Sequence, residues 1–431
     1  MKILWTVNLI PRAVAARLGL SGDVLGGWVE AMAARLRLID GLELAIACKS
    51  DTGLDFETAL DGVRYYALPY GKGGEDALAA VCRRLLQRFG PDLVHIEGTE
   101  FPHAGVMLRE AKAAGVPAVV SMQGILNGQY AYQCGLLPID DLLFSGSPAN
   151  AFAAAALRLR KTRWYLPRMK PERELIESAE HILGRTTWDR AHTYAINPRA
   201  AYYSCPRVLR PAFYDAAWAP EGMERHSLYV GNSYYALKGF HFVVRALPLL
   251  IREYPDVRVY VAGHPPYGDR RAFYKKGYGV YLKKLIGDLN VGDHIVFTGT
   301  LTAEQVADRL SRVNAYVLPS AAENSPNTLA EAMTVGAPCI SAYVGGAPDM
   351  AEDGKEALFY RCDDPALLAW CVKRVFDDDA LALRLSENAR LRARRTHDET
   401  RNAETLYRVY TEILRKEAAH GTKNACAARE N

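Results

Sequence analysis

The chain has 431 residues, more than one hydrophobic core usually organises, so two domains of ordinary size are expected. A hydrophobic fraction of 49% and a charged fraction of 24% are typical of a globular protein and exclude a disordered chain. With 53 basic and 49 acidic residues, the net charge of +4 gives no reason to expect a nucleic-acid partner.

The N-terminal stretch MKILWTVNLIPR is predicted to form a buried first strand. Its apolar run ends at Pro11, earlier than a secretory signal would, and no apolar run approaches the ~20 residues of a membrane span. The eight cysteines form no CxxC pair and have no histidines at metal spacing, which favours reduced thiols over disulfides or zinc. We therefore expect a cytoplasmic protein, with peripheral contact to the inner face of the membrane as an open alternative.

Short apolar runs alternate with helical stretches in both halves of the chain. The predicted strands are 2–7, 42–48, 63–68, 93–98, 118–124, 181–186, 227–232, 257–263, 294–299, 315–320, 338–343 and 356–361. Near-continuous apolar strands separated by helices indicate parallel sheets covered on both faces. The carboxyl edge of such a sheet is where open α/β folds bind ligands.

The domain boundaries follow from composition. A first domain is predicted over 1–204, a proline-rich linker over 205–226 and a second domain over 227–395. The stripe Leu406, Tyr410, Ile413 and Leu414 predicts a C-terminal helix within 396–419, expected to pack back on the N-terminal domain. Residues 420–431 are expected to be a flexible tail.

Two motifs in the first half carry polar groups. In SGDVLGGWVE, Gly26 and Gly27 lie between a strand and a helix, where glycine lets backbone approach a phosphate; a simple turn is an equal alternative.

The second motif, HIEGTEFPH, offers His95, Glu97, Glu100 and His103 at a strand end. The spacing of these residues matches no standard metal site, so contacts to a polar ligand are preferred.

The segment 157–173, LRLRKTRWYLPRMKPER, contains seven basic residues with Trp164 and Tyr165 between them. A solvated helical face is the ordinary explanation of such a run. The functional alternative is attachment to an anionic membrane that carries a lipid-linked acceptor.

The stretch ENSPNTLAEA places Glu323 before a predicted helix and Glu331 inside it. Ser325 is expected to cap the helix, Pro326 to be its first residue and Gly336 to end it. The free N–H groups and positive dipole end at the start of this helix form an anion site, which lies between the two carboxylates. For two isolated glutamates, ordinary surface and helix positions would be the default explanation.

Residues 227–361 resemble the donor-binding domain of the GT-B retaining glycosyltransferases of family 4. The similarity lies in SLYVGNSYYALKGF, with its lysine-glycine loop, and in the order of motifs that ends with E-x7-E at Glu323 and Glu331. It implies two Rossmann-like domains with parallel sheets facing a central cleft, an acceptor-binding domain over 1–204 and a donor-binding domain over 227–395. Residues 184–215 resemble bacterial members that build capsular or exopolysaccharide.

The resemblance assigns roles to residues of this sequence. Lys238 would pair with the donor diphosphate, Glu331 would accept hydrogen bonds from the ribose, and Glu323 would face the transferred sugar and stabilise positive charge at its anomeric carbon. The further donor-binding candidates are Gly231, Asn232, Gly299, Thr300, Asn324, Ser325, Asn327 and Thr328, together with Gly26 and Gly27.

The sequence departs from the family pattern at two places. Asn232 stands where many members have an arginine for the diphosphate, which leaves Arg185 and Arg210 as candidates for a second cation. Gln123 stands where many have a histidine; an amide can bind a sugar but cannot act as an acid or base. Gln123, Glu97, His103 and Arg185 are therefore the candidates for acceptor or sugar contacts.

These features predict a hexosyltransferase that moves a sugar from a nucleotide-diphosphate sugar to a saccharide or lipid-linked acceptor. Retention at the anomeric carbon and a role in cell-surface polysaccharide synthesis are implied by the resemblance, and neither a cofactor nor a bound metal is expected. The alternatives are a nucleotide-sugar epimerase of similar fold and a non-catalytic nucleotide-sugar-binding protein. A dinucleotide-dependent oxidoreductase is disfavoured because no GxGxxG follows the first strand.

Overall fold

The structure is a computed structural model that describes residues 1–20, 26–50, 55–69, 74–268 and 273–427. The chain forms two compact units. The first contains residues 1–127, 168–209 and those from 397 onward, and the second contains residues 128–167 and 210–396.

The strands of the described residues are β1 (Lys2–Val7), β2 (Glu43–Ser50), β3 (Glu57–Leu60), β4 (Val63–Pro69), β5 (Leu93–Glu97), β6 (Ala118–Ser121), β7 (His181–Gly184), β8 (Ala201–Ser204), β9 (Glu224–Val230), β10 (Arg258–Val261), β11 (Ile295–Phe297), β12 (Val313–Leu318), β13 (Cys339–Ala342) and β14 (Ala357–Tyr360).

The helices are α1 (Arg12–Arg17), α2 (Gly27–Leu36), α3 (Gly74–Phe89), α4 (Pro102–Ala113), α5 (Leu126–Gln129), α6 (Ile139–Leu143), α7 (Pro148–Arg160), α8 (Leu166–Ser178), α9 (Thr187–Ile196), α10 (Ala212–Asp215), α11 (Phe240–Ile251), α12 (Phe273–Asp288), α13 (Ala303–Arg312), α14 (Asn327–Val335), α15 (Ala347–Met350), α16 (Pro365–Asp377), α17 (Asp379–Thr396) and α18 (Glu399–Ala427).

The first unit is built on a sheet of order β3-β4-β2-β1-β5-β6-β7-β8, parallel except between β3 and β4. Side chains of β1 alternate between two apolar clusters: Ile3, Trp5 and Val7 pack on one face of the sheet and Leu4 on the other. Both faces are therefore covered, which explains the nearly continuous apolar sequence of the strand.

Helix α18 is held to this sheet by a buried polar contact as well as by packing. Trp5 Nε1 donates to the Tyr410 hydroxyl at 2.9 Å, and the same hydroxyl lies 2.6 Å from His95 Nδ1. Tyr410 is fully buried beside Leu406 and Ile413. The apolar stripe predicted for this helix thus faces the core of the first unit.

The second unit contains a wholly parallel sheet of order β11-β10-β9-β12-β13-β14. Helix α7 packs on α12 through small side chains: a Cβ atom added at Gly277 would lie 2.6 Å from that of Ala156. Close approach of the two helices buries Ala153, Leu157 and Tyr278 in the core of this unit.

This packing corrects the predicted domain boundaries. Residues 128–167 were expected in the N-terminal domain, but they belong to the second unit because α7 packs on α12. The predicted linker 205–226 is divided between the units after Leu209, and Val208, Phe213 and Trp218 within it are buried. At the C-terminal end, α18 continues as a helix to Ala427, into the stretch expected to be a flexible tail; residues 428–431 lie outside the described residues.

Each of the predicted strands is present within a few residues of its expected bounds. Strands β3 and β8 were not predicted. Both have four residues, and neither has the continuous apolar sequence by which the other strands were found.

Candidate functional site

The two glutamates of the ENSPNTLAEA stretch lie on either side of the start of α14. The buried strand β12 ends at Leu318. Helix α14 runs from Asn327 to Val335, and Gly336, with a φ of 91°, ends it as predicted. The N-cap is Pro326, not Ser325 as expected, and it makes no side-chain capping bond. The Ser325 hydroxyl instead lies 3.9 Å from the sulfur of Met350, so the first amides of the helix lack a side-chain cap.

Glu323 and Lys238 form a direct ion pair. Lys238 Nζ lies 2.6 Å from Glu323 Oε1, which also accepts a hydrogen bond from the Ser320 hydroxyl at 2.7 Å. Two glycines with positive φ hold the backbone around this pair. A side chain at Gly239 would overlap the Pro319 carbonyl, and one at Gly345 would overlap the Glu323 carbonyl.

The charge of Lys238 is fixed by this pairing. Burial alone would lower the pKa of Lys238, but the Glu323 carboxylate and Tyr235 raise it well above its usual range. The lysine is therefore a permanent cation at neutral pH. With three N–H donors and one carboxylate partner, it retains the capacity to bind an anion.

Glu331 pairs with Arg210. Both Arg210 Nη2, at 2.8 Å, and Arg210 Nε, at 3.2 Å, donate to Glu331 Oε1. Burial raises the pKa of Glu331, and Arg210 partly offsets this rise. Because both bonds go to Oε1, the other carboxylate oxygen stays available to a ligand. We call Lys238, Glu323, Arg210 and Glu331 the two-carboxylate site.

The remaining candidates around α14 lie at the ends of strands. The Tyr316 hydroxyl donates to the Thr328 hydroxyl at 2.8 Å, and a Cβ atom added at Gly231 would lie 3.1 Å from the Thr328 methyl group, a tight contact. Asn232 Oδ1 accepts a bond from the Tyr234 amide at 2.8 Å. The other candidates differ in exposure: Asn324 is buried, Ser325 and Asn327 are half-buried, and Thr300 is exposed. The backbone of Gly299 pairs with that of Gly263 in an isolated β-bridge.

A residue that the sequence did not indicate, Tyr235, lies next to Lys238. Lys238 Nζ is 5.8 Å from the centre of the Tyr235 ring, and the Arg160 guanidinium is 5.4 Å from the same ring. Arg160 lies at the end of α7 and belongs to the same unit. The helical segment inserted from the first half of the sequence thus adds a cation beside Lys238.

The acceptor candidates lie in the first unit. Gln123 Nε2 donates to Glu97 at 3.3 Å, and Arg185 donates to the Met122 carbonyl. His103 is buried in α4 and stacks on Phe101, with ring centres 6.1 Å apart. Gly26 caps α2 with φ of 84°, and Gly27 begins that helix.

The basic segment 157–173 does not present seven free cations. Arg158, Lys170 and Arg173 have carboxylate partners at 3.5–4.0 Å. Arg160 and Lys161 lie over tyrosine rings. Glu172, within the same segment, is buried and accepts hydrogen bonds from Thr99, Leu126 and Asn127.

Three global observations concern the described part of the chain. Seven of its cysteines are buried free thiols: Cys48, Cys82, Cys134, Cys205, Cys339, Cys362 and Cys371. It contains no cluster of three or more His, Cys, Asp or Glu side chains arranged for a metal ion. None of its helices combines the length and apolar character needed to cross a membrane.

Both halves of the chain match known protein families. Residues 213–392 match the model of the family described as Glycosyl transferases group 1, and residues 25–201 match that of a Glycosyl transferase 4-like domain. D-inositol 3-phosphate glycosyltransferase of Streptomyces avermitilis is 30% identical over 153 residues, 36% of this chain and 32% of that protein. The match therefore spans about a third of the length of that relative.

Two solved structures show the same fold at low identity. Sucrose-phosphate synthase from Thermosynechococcus elongatus has a TM-score of 0.70 at 16% identity, covering 96% of this chain and 100% of that chain. HepE from Anabaena, solved with UDP and glucose, has a TM-score of 0.68 at 15% identity, covering 95% and 99%. The two structures show that the chain has the GT-B fold. The matches to both halves of its sequence identify it as a group 1 glycosyltransferase.

Proposed function

We propose that the protein is a hexosyltransferase that moves a sugar from a nucleotide-diphosphate sugar to a saccharide or lipid-linked acceptor. The observation that carries the proposal is the two-carboxylate site: a Lys238–Glu323 pair before α14 and Glu331 inside the helix. One compact unit holds all of these residues, and most of that unit matches the group 1 family.

Each part of the site suits one part of the donor. Lys238 and the uncapped amides of α14 stabilise the diphosphate as its charge grows, because preformed cations and dipoles act most strongly where charge develops. Glu331 accepts hydrogen bonds from the ribose through its available oxygen. Glu323 lies beside the sugar and stabilises the positive charge at the anomeric carbon.

In the proposed reaction the bond between the anomeric carbon and the diphosphate oxygen breaks, and its electron pair leaves with the diphosphate. The oxygen of the acceptor hydroxyl forms the new bond to the anomeric carbon, and its proton passes to the leaving diphosphate. We propose retention of the anomeric configuration and a role in cell-surface polysaccharide synthesis, which rest on the family resemblance.

A donor screen tests the proposal. UDP-glucose and UDP are the first ligands to try, since HepE was solved with them. We expect nucleotide sugars to raise the thermal unfolding temperature and nucleotide release to require an acceptor. Conversion of the donor without acceptor would indicate an epimerase, and binding without turnover a non-catalytic binder. NMR of the product gives the anomeric configuration.

The diphosphate is proposed to be stabilised by Lys238 and the start of α14 rather than by a metal. Transfer should therefore continue in EDTA at close to its untreated rate. Strict dependence on magnesium or manganese would contradict this assignment.

We propose that segment 157–173 attaches to a membrane through four of its seven basic residues. Arg158, Arg163, Lys170 and Arg173 are exposed, and exposed ion pairs are weak enough to exchange for lipid headgroups. Each cation near an anionic bilayer contributes ~1 kcal/mol. We expect salt-sensitive sedimentation with anionic liposomes and none with neutral ones; equal sedimentation with both would remove this role.

A further inference from the structure

A small pocket in the first unit has an excess of positive charge. Its polar lining comes from His95, Glu97, Ser121, Arg185 and Arg207, with Trp28 on one wall. We call it the arginine pocket. It lies where β5, β6 and β7 end, at the sheet edge where α/β folds bind ligands.

Arg207 lacks the partners that a half-buried arginine normally has. Among the described residues, no carboxylate lies within 4.0 Å of its guanidinium and no group accepts a hydrogen bond from it. The side chains of His397 and Asn402 contact Arg207 at its backbone carbonyl, and its Nε atom is buried without a partner. The guanidinium carbon lies over the Trp28 ring, 3.6 Å from its centre. Stacking fixes the plane of the group and leaves its N–H edge directed away from the ring.

Arg185 adds a second cation to the same pocket. Its guanidinium donates to the Met122 carbonyl, and its Nε is also buried without a partner in the described part of the chain. The two arginines are close enough to interact: burial, followed by Arg185, lowers the pKa of Arg207 to about 9. Both are still cations at neutral pH.

The groups of opposite charge do not balance this pair. Burial lowers the pKa of His95, which is therefore neutral at pH 7. Burial would raise the pKa of Glu97, but the charges of Arg207 and Arg185 lower it, so this carboxylate is ionised. Glu97 is the one carboxylate in the lining and faces two arginines; Glu100, whose pKa burial and then Glu172 raise to about 7, acts on Arg207 from outside the lining.

We propose that the arginine pocket binds an oxyanion, a carboxylate or a phosphate group, carried by the sugar acceptor. A carboxylate or phosphate matches the fork of N–H groups of a guanidinium, and a single negative charge would neutralise the pocket. A purely structural network would instead place a carboxylate in hydrogen-bond contact with Arg207, since an unpaired charge in a half-buried site is costly. That the anion belongs to the sugar acceptor rests on the proposed function, whereas the anion site itself does not.

Ligand-observed NMR titrations with three small probes test the proposal: glucuronic acid, glucose 6-phosphate and glucose. We expect at least one anionic probe to bind ~10-fold or more tightly than glucose, the effect of a hydrogen-bonded charge. Preference for glucuronic acid identifies a carboxylate, and preference for glucose 6-phosphate identifies a phosphate. Equal affinity for all three probes, or no binding of any, would overturn the proposal.

Arg207→Met should abolish the preference, and Arg190→Met is the matched control. Arg190 also lies over an aromatic ring, that of Tyr202 at 5.5 Å, but it is exposed and outside the pocket. The control should retain the preference. An anion preference that survives Arg207→Met would overturn the assignment of this pocket.

Thermal unfolding provides a second readout that does not depend on a ligand. Because Arg207 is unpaired, Arg207→Met should leave the unfolding temperature equal or higher; a structural arginine would make it fall. A lower unfolding temperature with no anion preference in the wild type would overturn the proposal. Nucleotide-sugar binding is measured separately in the donor screen: failure of the wild type to bind any donor would refute the proposed function and leave the anion site standing.

Discussion

The two-carboxylate site and the arginine pocket treat buried charge in opposite ways. In the two-carboxylate site each carboxylate has its own cation, with Lys238 on Glu323 and Arg210 on Glu331. In the arginine pocket Arg185 and Arg207 face one lining carboxylate, Glu97, which neither contacts within 4.0 Å.

The difference indicates how each region is prepared for a ligand. A compensated pair is stable when empty, and it binds by offering its spare donors and acceptors. An uncompensated cation is a cost to the empty protein that an anionic ligand removes. Removing one member of each ion pair tests this comparison. The expected effects on stability, turnover and nucleotide binding are given below from the largest to the smallest.

The largest effect is expected from Lys238→Met. Removal of the cation leaves the buried Glu323 carboxylate without its ion-pair partner, which should lower the free energy of unfolding by ~3–5 kcal/mol. The double variant Lys238→Met/Glu323→Gln should recover most of the loss, because the uncompensated charge is gone. Urea denaturation followed by circular dichroism measures both.

The matched control is Lys373→Met. Lys373 pairs with Glu253 and Asp377 at the surface, where ion pairs are screened by solvent, so its loss should change stability far less than the loss of Lys238. If Lys238→Met were as stable as the wild type, Lys238 would not compensate the charge of Glu323 as the comparison requires.

Glu323→Gln should act on turnover. The amide keeps the shape and the Lys238 contact but removes the charge beside the anomeric carbon, so kcat should fall ~10²–10³-fold, the range for one preorganised electrostatic contact. The affinity for nucleoside diphosphate should change little, since Glu323 is assigned to the sugar.

Steady-state kinetics with titration calorimetry separates the two quantities. Glu356→Gln, a buried glutamate paired with Arg392 elsewhere in the same unit, is the control and should leave kcat unchanged. A Glu323→Gln variant with weakened nucleotide binding and normal kcat would contradict the assignment.

Most of the fold could be predicted from the sequence, because long apolar strands are a local signal. Strands β3 and β8 could not, since neither ETAL nor AYYS belongs to a long apolar run. The membership of residues 128–167 in the second unit also escaped prediction. It depends on contact between α7 and α12, and alanine and glycine at a helix contact leave no distinctive pattern in one sequence.

The candidate site shows the same division. Lys238, Glu323 and Glu331 were indicated by motif, yet the Lys238–Glu323 contact joins residues 85 positions apart and was not predicted. Arg210 was considered for the diphosphate, and the structure places it on Glu331. Arg207 was missed because it lies in a proline-rich stretch interpreted as a linker, where only the three-dimensional structure shows the pocket.

Glu331→Ala should weaken binding of nucleoside diphosphate by ~1–3 kcal/mol through loss of charged hydrogen bonds to the ribose. Titration calorimetry with the nucleotide identified in the donor screen measures the change. Glu356→Ala is the control for removal of a buried, arginine-paired glutamate. Unchanged affinity would remove Glu331 from the ribose role.

The smallest effect is a pH dependence introduced by Arg210→Met. Burial raises the pKa of Glu331 and Arg210 holds it down, so loss of the arginine should raise this pKa further. Ionised Glu331 is the form that accepts ribose hydroxyls. Nucleotide affinity in the variant should therefore begin to fall at a higher pH than in the wild type as the solution is acidified.

The other titratable group close to Glu331 is Tyr229, whose pKa is raised by burial and then by Glu331, so it stays neutral over this range. Arg210→Lys keeps a charge and should shift the profile less. Arg210→Met/Glu331→Gln should lose the added pH dependence, because the group that titrates is gone, and Arg392→Met should match the wild type. A profile in Arg210→Met that coincides with the wild type would show that Arg210 does not control the charge of Glu331, and the second compensated pair of the comparison would then be a packing contact only.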